Sequence, residues 1–219
     1  MSPMNTERTL FARPVALLTI FTIVGSALRL LPYWNEEYQS WLICIWGASA
    51  ILPLFMTGVA KVKPLYLGYI IPLVGFIVSD LLIEWILKTR NLPGSSITGR
   101  LMIYGIFLLL AQLGLVLRLL KLRRWEQALA GVGLTLFGSC AFFLVTNYLI
   151  WRGSTPIDGN YYYPPTWEGL LKCYEMALPF FKNQFYGDAV FSAMFFGIFA
   201  LLETRTVTHP VGNTARASQ

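Results

Sequence analysis

The sequence predicts an all-α membrane protein of six transmembrane helices, with both termini on the cytoplasmic side. Three observations carry this. Hydrophobic residues make up 56% of the 219 and charged residues only 13%, with a mean hydropathy of +0.58; soluble domains carry about 25% charged residues. Apolar runs of about 20 residues, long enough to cross a bilayer, recur along the chain. The basic residues cluster in short connections between those runs, which is how membrane orientation is encoded.

The first span is expected over 14–32, with Pro14 in its first turn, where a missing N–H goes unneeded. No small-residue cleavage site follows this run, so it should be a retained span and not a leader. The second, 40–59, contains Pro53, an expected kink. The third, 64–87, carries Pro72, Asp80 and Glu84. The fourth covers 100–118, the fifth 127–151 and the sixth 187–203. Residues 1–205 thus form a single domain, and 206–219 a polar cytoplasmic tail. Segment 168–186 is semi-apolar, but its charges and Pro179 predict a surface or re-entrant helix instead of a seventh span.

With the N-terminus inside, the inner segments hold ten basic residues: Arg8, Arg13, Lys61, Lys63, Arg118, Lys121, Arg123, Arg124, Arg205 and Arg216. The outer segments hold six, Lys88, Arg90, Arg100, Arg152, Lys172 and Lys182, spread over longer loops. This imbalance sets the orientation. It also accounts for the net charge of +6 without nucleic acid as a partner.

Arg29, Asp80, Glu84 and Asn147 lie inside spans, where an ionisable group costs a few kcal/mol or more unless it faces protein or water. In this topology all four fall toward the outer side, with Trp151 and Asp188 at the outer ends of spans five and six. Asp80 and Glu84, four apart, share one helical face. Two acids against the one base leave a surplus carboxylate. The set reads as an outward-facing polar pocket for ligand capture, although an ion pair locking spans one and three, or proton coupling, uses the same residues. Gln112 alone breaks the pattern, in the inner half of span four.

The outer loops are elaborate. Loop one, 32–39, reads PYWNEEYQ; loop three, 88–100, is Gly/Ser-rich and expected to be mobile; loop five, 152–187, carries Tyr161, Tyr162, Tyr163 and Trp167. Long loops of this kind act as lids, and the aromatics could stack on a flat ligand or form an interfacial belt. Small residues recur at every fourth position, Ala189, Ala193 and Gly197 in span six and Ala12 and Ala16 at span one, a spacing that lets helices approach closely, either within the bundle or against a separate membrane partner.

Cys44, Cys140 and Cys173 form no metal-ligand spacing, and their odd number argues against a disulfide framework; Cys173 is expected as a loop thiol. The single His209 cannot build a multi-histidine site. GxSxG, HExxH, P-loop and Rossmann signatures are missing, so neither catalysis nor a cofactor is predicted. Two further classes stay open: a membrane enzyme acting on a lipid or isoprenoid head group, and a non-catalytic accessory or assembly protein.

The stretches RLLP at 29–32, SDL at 79–81, FFLVTNYLIW at 142–151 and YYPPTWEGLLKCYEMALPFFKNQFYGD at 162–188 resemble an uncharacterised family of bacterial inner-membrane proteins carrying a domain of unknown function. After RLLP the chain departs from the family pattern: an Asn-Phe-Thr-Pro-like stretch is replaced by WNEEYQSW. That family is in turn similar to the substrate-binding S components of energy-coupling-factor (ECF) vitamin transporters, including the solitary cobalamin type. The resemblance implies an S-component-like bundle in the bacterial inner membrane, with an outward pocket closed by loops one, three and five. It also implies uptake of a small vitamin-like molecule, with the small-residue ridges docking on an ECF coupling subunit driven by ATPases.

Overall fold

Within a bilayer a helix is the one single-segment structure that satisfies its own backbone groups, and the apolar runs of this chain fold as helices. The computed structural model describes residues 3–34, 50–120, 122–157 and 160–203. Seven helices lie among them: α1 (Pro3–Trp34), α2 (Ile51–Lys61), α3 (Leu65–Thr89), α4 (Ile97–Ala111), α5 (Leu113–Leu119), α6 (Arg124–Arg152) and α7 (Trp167–Glu203). Two short strands, β1 (Pro156–Ile157) and β2 (Asn160–Tyr161), pair antiparallel between α6 and α7.

Among the described residues five segments are long and apolar enough to cross a membrane: Ala12–Tyr33, Leu65–Thr89, Ile97–Leu119, Arg124–Arg152 and Trp167–Leu202. The burial pattern is that of a multi-pass membrane protein. Leu109, Leu129 and Phe137 face outward with more than half of their surface exposed, while Thr135, Ser139, Asn147 and Asp188 are buried. Of the expected second span, α2 supplies 11 residues, about 17 Å of helix and too short to span alone. Residues 35–49, including most of loop one and Cys44, lie outside the described residues.

The elements differ from the sequence expectations at four places. Helix α1 begins at Pro3, so Pro14 lies inside it and not in its first turn. Pro53 falls in the first turn of α2, where it removes no hydrogen bond and makes no kink. The fourth span is divided at Gln112, whose side chain donates to Leu108 O at 2.9 Å and accepts from Tyr69 Oη at 3.0 Å; this inner polar group is thereby satisfied. The last helix starts at Trp167 instead of 187 and runs 37 residues without interruption, about 55 Å. Its early charges, Glu168, Lys172, Glu175 and Lys182, are all exposed. They lie on one helical face and so mark the polar side of a helix, not a break in it. Cys173 is consequently a buried helical residue rather than a loop thiol, its Sγ donating to Asn147 O at 3.4 Å.

Helix α2 is the centre of the bundle: every residue from Ile51 to Ala60 is buried. It meets α3 at a glycine pair. A β-carbon built on Gly68 would stand 2.5 Å from Gly58 O, and one on Gly58 2.5 Å from Gly68 O. The C-terminal carbonyls of α2 that no helical N–H reaches are met from α5, where the Arg118 guanidinium donates to Val59 O and Val62 O. A second close approach joins α1 to α3, where Gly75 admits Thr22 and Gly75 O accepts from Ser26 Oγ at 3.0 Å. Phe21 of α1 stacks on Phe195 of α7 at 4.5 Å. Helices α6 and α7 pair antiparallel, with Gly131 against the Phe196 ring near one end and Trp151 Nε1 donating to Pro164 O at 2.9 Å beyond the other.

Candidate functional site

Near the end of α1, Arg29 turns toward α3. Its Nη2 is 2.5 Å from Asp80 Oδ1, and its Nη1 donates to Ser79 Oγ and, at 3.4 Å, to Phe76 O. The guanidinium also lies over the Phe76 ring, 4.5 Å from its centre, an attractive arrangement for a desolvated cation. The other carboxylate oxygen, Asp80 Oδ2, accepts from Tyr104 Oη at 2.8 Å. Both charged side chains are about five-sixths buried (17% and 15% exposed); burial on this scale is tolerable because every partner is a charge or a hydrogen-bonding group.

One turn further along α3, Glu84 does not join this pair. The Arg100 Nη2 of α4 donates to Glu84 Oε2 and, at 2.9 Å, to Ser95 O. The surplus carboxylate expected from sequence therefore does not exist, because a basic residue assigned to an outer loop reaches back to neutralise it. The connection between the helices has a defined turn geometry. Asn91 has φ of 55°, Leu92 N donates to Leu87 O and Asn91 N to Lys88 O, the bonding pattern of a Schellman stop. Gly94 then packs on the Glu84 carboxylate, where a β-carbon would stand 2.2 Å from Oε1. Ser96 caps α4, its Oγ accepting from Gly99 N at 3.0 Å.

These groups surround a cavity of about 400 Å3 at the end of the bundle where α1 and α3 finish and α4 begins. Leu28, Ile83 and Ile103 line its walls, with Phe76, Phe107 and Phe142 as an aromatic face. Phe107 stacks on Phe142 at 4.7 Å and meets Phe76 edge-on at 5.3 Å, so this face is continuous with the bundle core. The polar lining is Arg29, Asp80, Arg100, Ser95, Ser96 and Gln184, with Tyr33 and Pro32 contributed by the end of α1. Size and composition are those of a small-molecule site, apolar with a few convergent polar groups.

Of the residues singled out from sequence, Arg29, Asp80 and Glu84 come together here, the first two lining the cavity and the third holding Arg100. The others whose side chains are described do not line it. Asn147 is buried in α6, its Nδ2 donating to Phe143 O at 2.8 Å. Trp151 contacts Tyr148 and Pro164, and α6 carries it about 13 Å beyond Phe142. Tyr162 and Tyr163 meet edge-to-face at 4.7 Å, with Lys172 Nζ 5.6 Å above the Tyr162 ring. Burial pushes the Tyr163 phenol above its ordinary pKa, reinforced by Cys173 and Tyr162. Trp167 is 71% exposed, and the side chain of Tyr161 lies outside the described residues. Asp188 is no outer-end residue. It sits well inside α7, 1% exposed, its Oδ2 accepting from Ser139 Oγ at 2.5 Å while Oδ1 has no partner among the described residues.

Sequence reasoning missed Arg100, Tyr104 and Gln184. The signal for the first two was present: Arg100 and Tyr104 are four apart, as are Asp80 and Glu84, on two helices joined by a short turn. An antiparallel pair sets Glu84 opposite Arg100 and Asp80 opposite Tyr104. Gln184 needed the continuous α7. Among the small residues, Ala12, Ala16 and Ala193 are exposed, and a β-carbon at Gly197 would meet nothing within 4 Å, so these positions line an open surface. Among the described residues no group of three or more His, Cys, Asp or Glu is placed to hold a metal ion.

A family of unknown function, DUF6580, matches residues 9–211. The chain belongs to the DUF6580 family. That match spans the segments that form the cavity and the short hairpin. No curated protein and no solved structure matches the chain.

Proposed function

We propose that this DUF6580 protein is a substrate-binding membrane subunit that captures a small, ring-containing, vitamin-like molecule from the outer side of the cytoplasmic membrane, in the manner of an ECF S component. The observation that carries this reading is the cavity of about 400 Å3 that sets an aromatic face beside two ion-paired arginines at one end of the bundle. The opposite end gathers Lys61, Lys63, Arg118, Arg123 and Arg124 in short connections, which orients it toward the cytoplasm. Six spans with both termini cytoplasmic belong to this reading. The open small-residue surface of α1 and α7 is the docking face for a membrane coupling subunit.

Asp80 and Glu84, the acids on which the lipid-enzyme alternative would draw, each hold an arginine. Thermal stability of the purified protein against a panel of vitamins and precursors tests the proposal. A ligand at a hundred times its Kd adds about 2.7 kcal/mol to a protein that binds it only when folded. A shift with one compound that Arg29→Ala abolishes supports capture in this cavity; a folded protein that no compound stabilises sinks it.

A further inference from the structure

The cavity's own charge selects its ligand. Its lining holds two cations, Arg29 and Arg100, and one anion, Asp80. Arg29 uses both of its terminal nitrogens on Asp80, Ser79 and the carbonyl of Phe76. Arg100 is not. Both of its contacts, to Glu84 and to Ser95 O, use Nη2, which leaves Nη1 and Nε without an acceptor among the described residues. Its partner Glu84 is the more solvated member of the pair (37% against 16% exposed) and does not line the cavity. A half-used guanidinium in a concave, largely apolar wall is a recognition group for an oxyanion, because its planar fork matches carboxylate and phosphate. Ser96 and Gly99 beside it belong to the first turn of α4, whose dipole adds to the same sign of field.

We infer that the captured molecule is an acid: a carboxylate or phosphate bound by Arg100, on a ring or apolar body lodged against Phe76, Phe107 and Phe142. This rests on the capture reading above and narrows it to a ligand class. Glu84 is then an internal competitor, holding Arg100 in place when the cavity is empty and yielding part of the guanidinium to the ligand.

The test uses the full chain in phosphatidylcholine nanodiscs and matched probes that differ only in the acid: nicotinate against nicotinamide, biotin against its amide, and pyridoxal phosphate against pyridoxal. Stabilisation by an acid and not by its neutral counterpart is expected. Arg100→Gln should weaken that binding by at least about tenfold, the loss expected for one charge-assisted bond, and Arg100→Lys, which keeps the charge and the contact to Glu84, should also weaken it. Glu84→Gln should strengthen it. Equal stabilisation by acid and neutral partner, or acid binding indifferent to both Arg100 variants, overturns the inference while leaving capture standing. Arg100-dependent stabilisation by added phosphatidylglycerol alone sustains the oxyanion site but assigns it to a lipid head group. A folded protein that no probe stabilises overturns both readings together.

Discussion

Glu84 on α3 is held by Arg100 on α4, and four residues deeper on each helix Asp80 meets Tyr104. The two contacts are successive rungs of one antiparallel helix pair. Arg29 enters from α1 to complete the lower rung, so charge as well as ring packing ties three helices together beside the cavity.

Arg29→Ala and Asp80→Ala should each destabilise the protein by about 3–5 kcal/mol, the consequence of stranding one member of a buried pair. Each should also weaken ligand binding by at least about tenfold. The double variant should lose clearly less than the sum, because the second truncation removes the charge that the first left unpaired. Denaturation of all four proteins in one detergent measures the coupling; strictly additive losses would show that the two residues act separately.

Gly58→Ala and Gly68→Ala should lower stability by about 1–3 kcal/mol or more, as for other overpacked cores, since each added methyl collides with backbone. Gly197→Ala, where nothing lies within 4 Å, is the matched control and should leave the apparent Tm unchanged.

Ser139→Ala should cost about 1–3 kcal/mol. It removes the hydroxyl that donates to the buried Asp188 carboxylate at 2.5 Å and leaves Gln184 as the remaining polar side chain beside it. The apparent Tm reads this directly, and an unchanged value would mean that another donor replaces the serine.

Trp151→Phe keeps the ring contact with Tyr148 but deletes the N–H that reaches Pro164 O. A loss of about 1 kcal/mol is expected, together with faster proteolysis between 153 and 166. Ligand affinity should not change, because Trp151 does not line the cavity; a large affinity loss would return this residue to the binding site.

The helical membrane class, the helical runs and three charged groups of the site were legible in the sequence because each rests on local chemistry. Apolar length defines a span, and Arg29, Asp80 and Glu84 stand out because a bilayer makes charge conspicuous. What the chain alone could not decide was pairing. Arg100 looks like loop charge until the Schellman turn at Asn91 folds α4 back on α3. Asp188 looks like a helix-end residue until α7 runs unbroken from Trp167 and carries it inside. Asn147 and Trp151, polar or aromatic at a span end, are engaged by carbonyls of their own helix and of the segment before α7, away from the cavity. Each depends on which surfaces meet across helices, and that is set by close contacts such as Gly58 on Gly68, which exist only once the whole bundle has packed.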